Sequence, residues 1–154
     1  MLTTDLIIRS AVVAEKQLLE ALQSRASLNN PGDREALLKH PDAIEIPPEQ
    51  LAGGLVVVAE CAGAIVGFAA ILARDDGDSE LDALFVEPGL WRRGYGMALL
   101  QHCVEAARRR GSAALHVVGN PHAEAFYRAC GFELVGTEET RFGPGLLMRK
   151  GLAR

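Results

Sequence analysis

A chain of 154 residues, 49% of them hydrophobic and 23% charged, is long enough to bury about 70% of its unfolded surface as one domain without staples. Sixteen basic against twenty acidic residues give a formal net charge of -4, which argues against a nucleic-acid partner held by phosphate attraction. Cys61, Cys103 and Cys130 have no metal-ligand spacing and read as small buried hydrophobes in a reducing compartment. No apolar run spans a bilayer and Met1–Asp5 lacks a secretion segment, so the expectation is a cytoplasmic protein without a membrane partner.

In chain order, Leu6–Arg9 reads as a short strand and Ala14–Ser24 as a helix with one apolar stripe. The stretch from Ser27 to Gly54 is polar and punctuated by Pro31, Pro41, Pro47 and Pro48; it predicts one short helix, Arg34–Lys39, between loops. Its irregularity marks it as a lid or substrate-recognition segment. Leu55–Cys61 and Ile65–Ala73 are apolar runs that read as a hairpin around Ala62-Gly63-Ala64.

Leu81–Val86 reads as a strand that enters a glycine-bearing basic loop, Gly89-Leu90-Trp91-Arg92-Arg93-Gly94-Tyr95-Gly96. A helix from Tyr95 to Arg110 follows, with Met97, Leu100, Val104 and Ala107 on its buried side. The first amides of such a helix lack intrahelical acceptors and lie at the positive end of its dipole, where phosphates bind. Gly94 and Gly96 let an anion approach the main chain, and Arg92 and Arg93 add permanent charge. An ordinary strand-to-helix connection would use the same glycines for turning alone. A nucleotide P-loop would need Lys and a hydroxyl where Tyr95 and Gly96 stand, and a dinucleotide fingerprint a small residue where Leu99 stands. Arg108-Arg109-Arg110 sits in the last helical turn before Gly111, where positive charge complements the dipole.

Ala113–Val118 reads as the next strand. It leads into Asn120-Pro121-His122-Ala123-Glu124-Ala125-Phe126-Tyr127-Arg128-Ala129-Cys130-Gly131-Phe132, where Asn suits an N-cap, Pro the first helical position and Gly131 the C-terminal stop. Ala123, Phe126, Tyr127 and Cys130 fall at i, i+3, i+4 and i+7, so one apolar face carries a tyrosine inward. Phe132–Arg141 and Leu146–Lys150 flank Gly143-Pro144-Gly145 and predict a final hairpin.

Together the glycine loop and the Asn120 segment resemble the GNAT superfamily of acyl-CoA-dependent N-acetyltransferases. Gly94 and Gly96 fill the two small positions of that family's pyrophosphate-loop pattern. Its later pattern, Asn-x-x-Ala-x-x-Phe-Tyr-x-x-x-Gly-Phe, is met by Asn120, Ala123, Phe126, Tyr127, Gly131 and Phe132. One position departs: where the pattern has Gln or Arg, this chain has Trp91. The resemblance implies an α/β, single-domain GNAT-like fold, with a mixed, mostly antiparallel central sheet flanked by helices.

It also implies acetyl-CoA as co-substrate, with no metal. A primary amine of a small molecule or peptide would be acetylated by direct transfer in a ternary complex, and a homodimer is one assembly open to it. The main chain of Leu84, Phe85 and Val86 would pair with the pantetheine arm, Arg92, Arg93, Gly94, Tyr95, Gly96 and Met97 would wrap the pyrophosphate, and Asn120 would hold the cofactor. Tyr127 would be the general acid. Some relatives carry a basic glutamate where Leu115 stands, which leaves Glu80 and Asp82, alternating onto one strand face, as candidates for the general base. His116 and His122 are weaker candidates, the first reading as a satisfied strand histidine. No histidine–carboxylate cluster suggests a metal. The acceptor side is expected to be lined by Ser27–Gly54 and the Gly143-Pro144-Gly145 tip. Two other functions stay open: an acyl-CoA sensor or regulatory domain without turnover, and a transferase for another acyl group or a hydroxyl acceptor.

Overall fold

A computed structural model describes residues 6–40, 42–140 and 143–152 of the chain. The readings at Met1–Asp5, Pro41 and Arg141 lie outside the described residues. Two compact units can be told apart, one of Met1–Ala70 with Ala83–Leu100 and the other of Ile71–Asp82 with Gln101–Arg154.

In the first unit, strand β1 (Leu6–Ser10) pairs antiparallel with β2 (Val56–Cys61). The predicted hairpin is present: β2 turns at Ala62 (φ 51°) and Gly63 (φ 84°) into β3 (Ala64–Ala73), pairing Val57 with Ala69 and Val58 with Phe68. Two successive left-handed residues match the twist of the strands they join.

Between β1 and β2 the chain makes a 3-10 turn, Val13–Glu15, then helices α1 (Lys16–Leu28), α2 (Pro31–Lys39) and α3 (Pro48–Ala52). The stretch read as mostly loop is therefore substantially helical. Pro48 opens α3 at its first position, where a missing N–H costs nothing. Leu19 and Leu22 of α1, Ile46, Leu51 of α3, Val56, Val58 and Phe68 form one buried cluster against which Phe85 packs. Glu20 fastens α1 to the segment before α3 by accepting the Ile46 amide at 2.8 Å.

Strand β4 (Ser79–Val86) and helix α4 (Tyr95–Arg109) run through both units. The buried stripe of α4 is Leu99, Leu100, Cys103, Val104 and Ala107, whereas Met97 is 42% exposed. Met97 was expected on this stripe; it falls at the stripe's margin in the first turn. Gly67 explains how α4 approaches the sheet: a Cβ there would stand 2.8 Å from the Phe85 carbonyl oxygen and 3.1 Å from Leu99 Cδ1.

In the second unit β4 pairs in parallel with β5 (Ala114–Gly119) at Ser79↔Leu115, Glu80↔His116 and Leu81↔Val117. A 3-10 turn, Pro121–Ala123, continues as α5 (Glu124–Ala129). Strands β6 (Glu133–Thr140) and β7 (Gly143–Gly151) complete the chain, β7 pairing antiparallel with both β5 and β6. Gly143-Pro144-Gly145 is not the hairpin tip: these residues belong to β7, opposite Thr140, Glu139 and Glu138. Gly145 is small because a Cβ would meet Val118 Cγ1 at 2.7 Å. The sheet order is β1-β2-β3-β4-β5-β7-β6, the mixed and mostly antiparallel α/β arrangement that the resemblance implies.

Among the described residues no helix is long and apolar enough to cross a membrane.

Candidate active site

In the first unit the segment from Val86 to Gly96 is held at several points. The Glu87 amide donates to the Val66 carbonyl at 2.8 Å. The Glu87 carboxylate accepts a two-pronged bond from Arg25 of α1, at 2.7 and 2.8 Å, which holds that carboxyl below the usual range. Pro88–Leu90 then forms a 3-10 turn, after which Trp91 folds back and its indole Nε1 donates to the Val86 carbonyl at 2.8 Å.

Arg92 follows in the left-handed region at φ 67°, and Gly94 at φ 88°. Glycine at Gly94 matches the expectation that the loop needs positive φ, but the second such residue is Arg92, not Gly96, which lies inside α4. The first helical bond runs from the Ala98 amide to the Gly94 carbonyl at 3.0 Å. The amides of Tyr95, Gly96 and Met97 therefore form the first turn, without intrahelical acceptors.

Trp91, Arg92, Arg93, Gly94 and Met97 are exposed, while Tyr95, Gly96, Leu84, Phe85 and Val86 are half-buried. The Tyr95 hydroxyl donates to Cys61 Sγ at 3.7 Å, a contact that, with partial burial, raises its pKa. The helix start thus offers main-chain N–H groups preceded in the chain by the exposed Arg92 and Arg93, a donor set that fits a phosphate.

The second unit holds the Tyr127 segment. Asn120 stands at the N-cap position as predicted, but its side chain makes no capping bond; its carbonyl accepts the Ala123 amide at 2.9 Å. Tyr127 is 8% exposed, whereas Ala123, Phe126 and Cys130, predicted on the same apolar face, are only half-buried. Edge-on contacts with Phe126 and Phe132, at ring-centroid distances of 5.3 and 5.5 Å, seat the Tyr127 ring. Burial raises the hydroxyl's pKa, with the nearby thiols of Cys130 and Cys103 acting in the same direction. A hydroxyl so raised stays protonated throughout the physiological range. Lys150 of β7 closes α5 by donating from Nζ to the Cys130 carbonyl at 2.9 Å.

Of the candidate bases, Glu80 is half-buried and pairs with Arg74 at 3.4 Å, while Asp82 is exposed. The fold also brings together a group that sequence reading did not see. One ligand atom each of Asp76, Asp78 and His116 lies within 4.8 Å of the others, because the parallel register sets β5 beside the β3–β4 turn. His116 Nε2 stands 2.9 Å from Asp78 Oδ2. Asp78 Oδ1 accepts the amides of Ala113 and Ala114 at 3.0 and 3.2 Å, and Asp76 is bonded by Arg74 and by the Asp78 amide. These bonds make the group a fastening of the turn onto β5. His122 is exposed.

No disulfide joins Cys61, Cys103 and Cys130, and of the three only Cys103 is fully buried. Cys61 and Cys130 are half-buried, so the expectation of three core thiols holds for one.

Residues 17–132 match the sequence model of the Acetyltransferase (GNAT) family. Uncharacterized N-acetyltransferases of Mycobacterium bovis and Mycobacterium tuberculosis are 32% identical over 91 residues, covering 57% of this chain and 58% of each relative's length. The fold is similar to that of the PaiA N-acetyltransferase from Thermoplasma acidophilum in complex with coenzyme A. That likeness has a TM-score of 0.76 and 16% identity, over 95% of this chain and 98% of that one. It is also similar to yncA, a putative acetyltransferase from Salmonella typhimurium with its cofactor acetyl-CoA, with a TM-score of 0.71 and 20% identity over 98% and 96% of the two chains. With the family's sequence pattern running through three quarters of its length, from α1 to the end of the Tyr127 segment, the chain belongs to the GNAT acetyltransferase family.

Proposed function

We propose that the protein is an N-acetyltransferase that moves the acetyl group of acetyl-CoA to a primary amine of a small molecule or peptide, by direct transfer. The observation that carries this reading is the start of α4, where a first turn of amides without intrahelical acceptors is flanked by exposed Arg92, Arg93 and Gly94. The solved structures of coenzyme A and acetyl-CoA complexes among its fold neighbours support the choice of ligand.

Acetyl-CoA, when bound, supplies an activated thioester. The amides of Tyr95, Gly96 and Met97 bind its pyrophosphate, aided by Arg92 and Arg93, and the main chain of Leu84, Phe85 and Val86 pairs with its pantetheine arm. Asn120 holds the cofactor. Glu80 or Asp82, directly or through water, removes the proton that the amine loses on attack. Tyr127, which burial keeps protonated, gives its proton to the departing sulfur as the tetrahedral intermediate collapses. The helices within Ser27–Gly54 select the acceptor.

The test is an acetyl-CoA-dependent thiol-release screen against polyamines, amino acids, aminoglycosides and peptide N-termini, with mass spectrometry of the acceptor. Coenzyme A release matched by a 1:1 acetylated amine is the expected result. Calorimetric coenzyme A binding without turnover across the whole panel would replace this reading by that of a sensor domain. Gly96→Val, which puts a branched side chain where the anion should approach, is expected to weaken coenzyme A binding while the fold persists.

A further inference from the structure

Trp91 stands where the family pattern has Gln or Arg, and its surroundings say what it does. The residue is 38% exposed, so it is not core packing. Its polar handle is nevertheless spent on the main chain, the indole Nε1 donating to the Val86 carbonyl at 2.8 Å. That carbonyl ends β4, and the bond closes the chain from Val86 to Trp91 around the 3-10 turn of Pro88–Leu90.

The next residue, Arg92, has φ 67°, a region that L-residues with a Cβ enter only when their surroundings dictate it. The chain on its N-terminal side is fixed at two points, by the Trp91 indole bond to the Val86 carbonyl and by Glu87, tied to Val66 and Arg25. After the left-handed Arg92 and Gly94 the chain enters α4, so the aim of its first amides follows from the torsions of these residues.

We propose that Trp91 is a positioning residue for the pyrophosphate loop, its indole N–H on the Val86 carbonyl holding residues 92–94 in the conformation that presents the first amides of α4. This rests on the reading of that helix start as the coenzyme A site. Trp91 touches no reacting atom; it acts through the backbone that follows it.

The experiment compares the wild type with Trp91→Phe, which keeps an aromatic ring and deletes the donor, and with Gly96→Val. The readouts are calorimetric affinity for coenzyme A, hydrogen exchange of the loop amides in the free protein, and thermal midpoint. Trp91→Phe should bind coenzyme A about five- to tenfold more weakly, the loss that one hydrogen bond of ordinary strength implies, and its amides from Arg92 to Met97 should exchange faster. Wild-type affinity in Trp91→Phe alongside weak binding by Gly96→Val overturns the role of Trp91 and leaves the site where it is. Wild-type affinity in Gly96→Val overturns the site, and the role of Trp91 with it. A lowered thermal midpoint with unchanged affinity, or a weakened affinity with unchanged loop exchange, also overturns the positioning role. Should Trp91→Phe fail to fold, Trp91→Leu repeats the donor deletion under the same criteria.

Discussion

Gly119, the last residue of β5, lies directly against the ring of Tyr127: a Cβ on Gly119 would stand 3.2 Å from Tyr127 Cε2 and 3.3 Å from Cδ2. Gly119→Ala must therefore push a ring that also packs on Phe126 and Phe132 by a few tenths of an ångström. The expected cost is about 1 kcal/mol of stability, the low end for overpacking, read from thermal denaturation. If Tyr127 is the proton donor, turnover should fall several-fold with coenzyme A affinity unchanged. Unaltered turnover in a variant whose ring has demonstrably moved would argue that the hydroxyl's place does not matter.

Tyr127→Phe keeps the ring and both edge contacts and removes only the hydroxyl. Stability and coenzyme A affinity should persist, while turnover falls by roughly 10²-fold, the scale of lost general-acid help. Stopped-flow measurement with a good acceptor, under conditions where chemistry limits the rate, provides the check. Near-normal turnover would make Tyr127 a core residue only.

The Asp78 carboxyl is held below the ordinary range, chiefly by its bond to His116, with the Ala113 and Ala114 amides helping and desolvation opposing. A depressed folded pKa stabilises the fold above the unfolded value, about 3.9, and that contribution is lost as pH falls through the folded value. Asp78→Asn should consequently flatten the acid limb of the stability curve below about pH 4. Denaturation at a series of pH values measures this, and parallel curves for the two proteins would contradict it.

Arg92 and Arg93 are both exposed, so their help to a bound pyrophosphate is screened by salt. Replacing both by Ala should weaken coenzyme A binding at low ionic strength and make the remaining affinity less salt-dependent. Equal salt slopes for the two proteins would remove these side chains from the site.

Trp91 is the chain's one tryptophan, which gives a direct optical readout. Coenzyme A bound at residues 92–97 should change its emission, with a midpoint matching calorimetry. An unchanged spectrum at saturation would place the ligand elsewhere.

The hairpin of β2 and β3 and the strand–loop–helix of β4 and α4 were legible because apolar runs and turn residues are local signals. Three things were not. The Pro47-Pro48 pair at the start of α3 reads as loop, although Pro48 only needed to occupy the first helical position. Gly143-Pro144-Gly145 carries turn chemistry, yet Gly145 answers to a contact with Val118 across the sheet, which no local window contains. The Asp78–His116 pair joins residues far apart in sequence, and only the parallel register of β4 and β5 brings them together. Of the candidate site, the glycine loop and the Tyr127 segment stood out as motifs, whereas the indole bond that fixes Arg92 in a left-handed conformation depends on a backbone path that sequence does not display.

Cys103 sits in the buried stripe of α4, and burial pushes its thiol up to about 12. At neutral pH it carries almost no thiolate, the form that disulfide reagents trap. Cys61 and Cys130 are only half-buried, so the protein's own blank in a chromogenic thiol assay should rise in two slow equivalents per chain, leaving the third to appear on denaturation. Counting those equivalents on the free protein sets the baseline above which released coenzyme A can be read stoichiometrically.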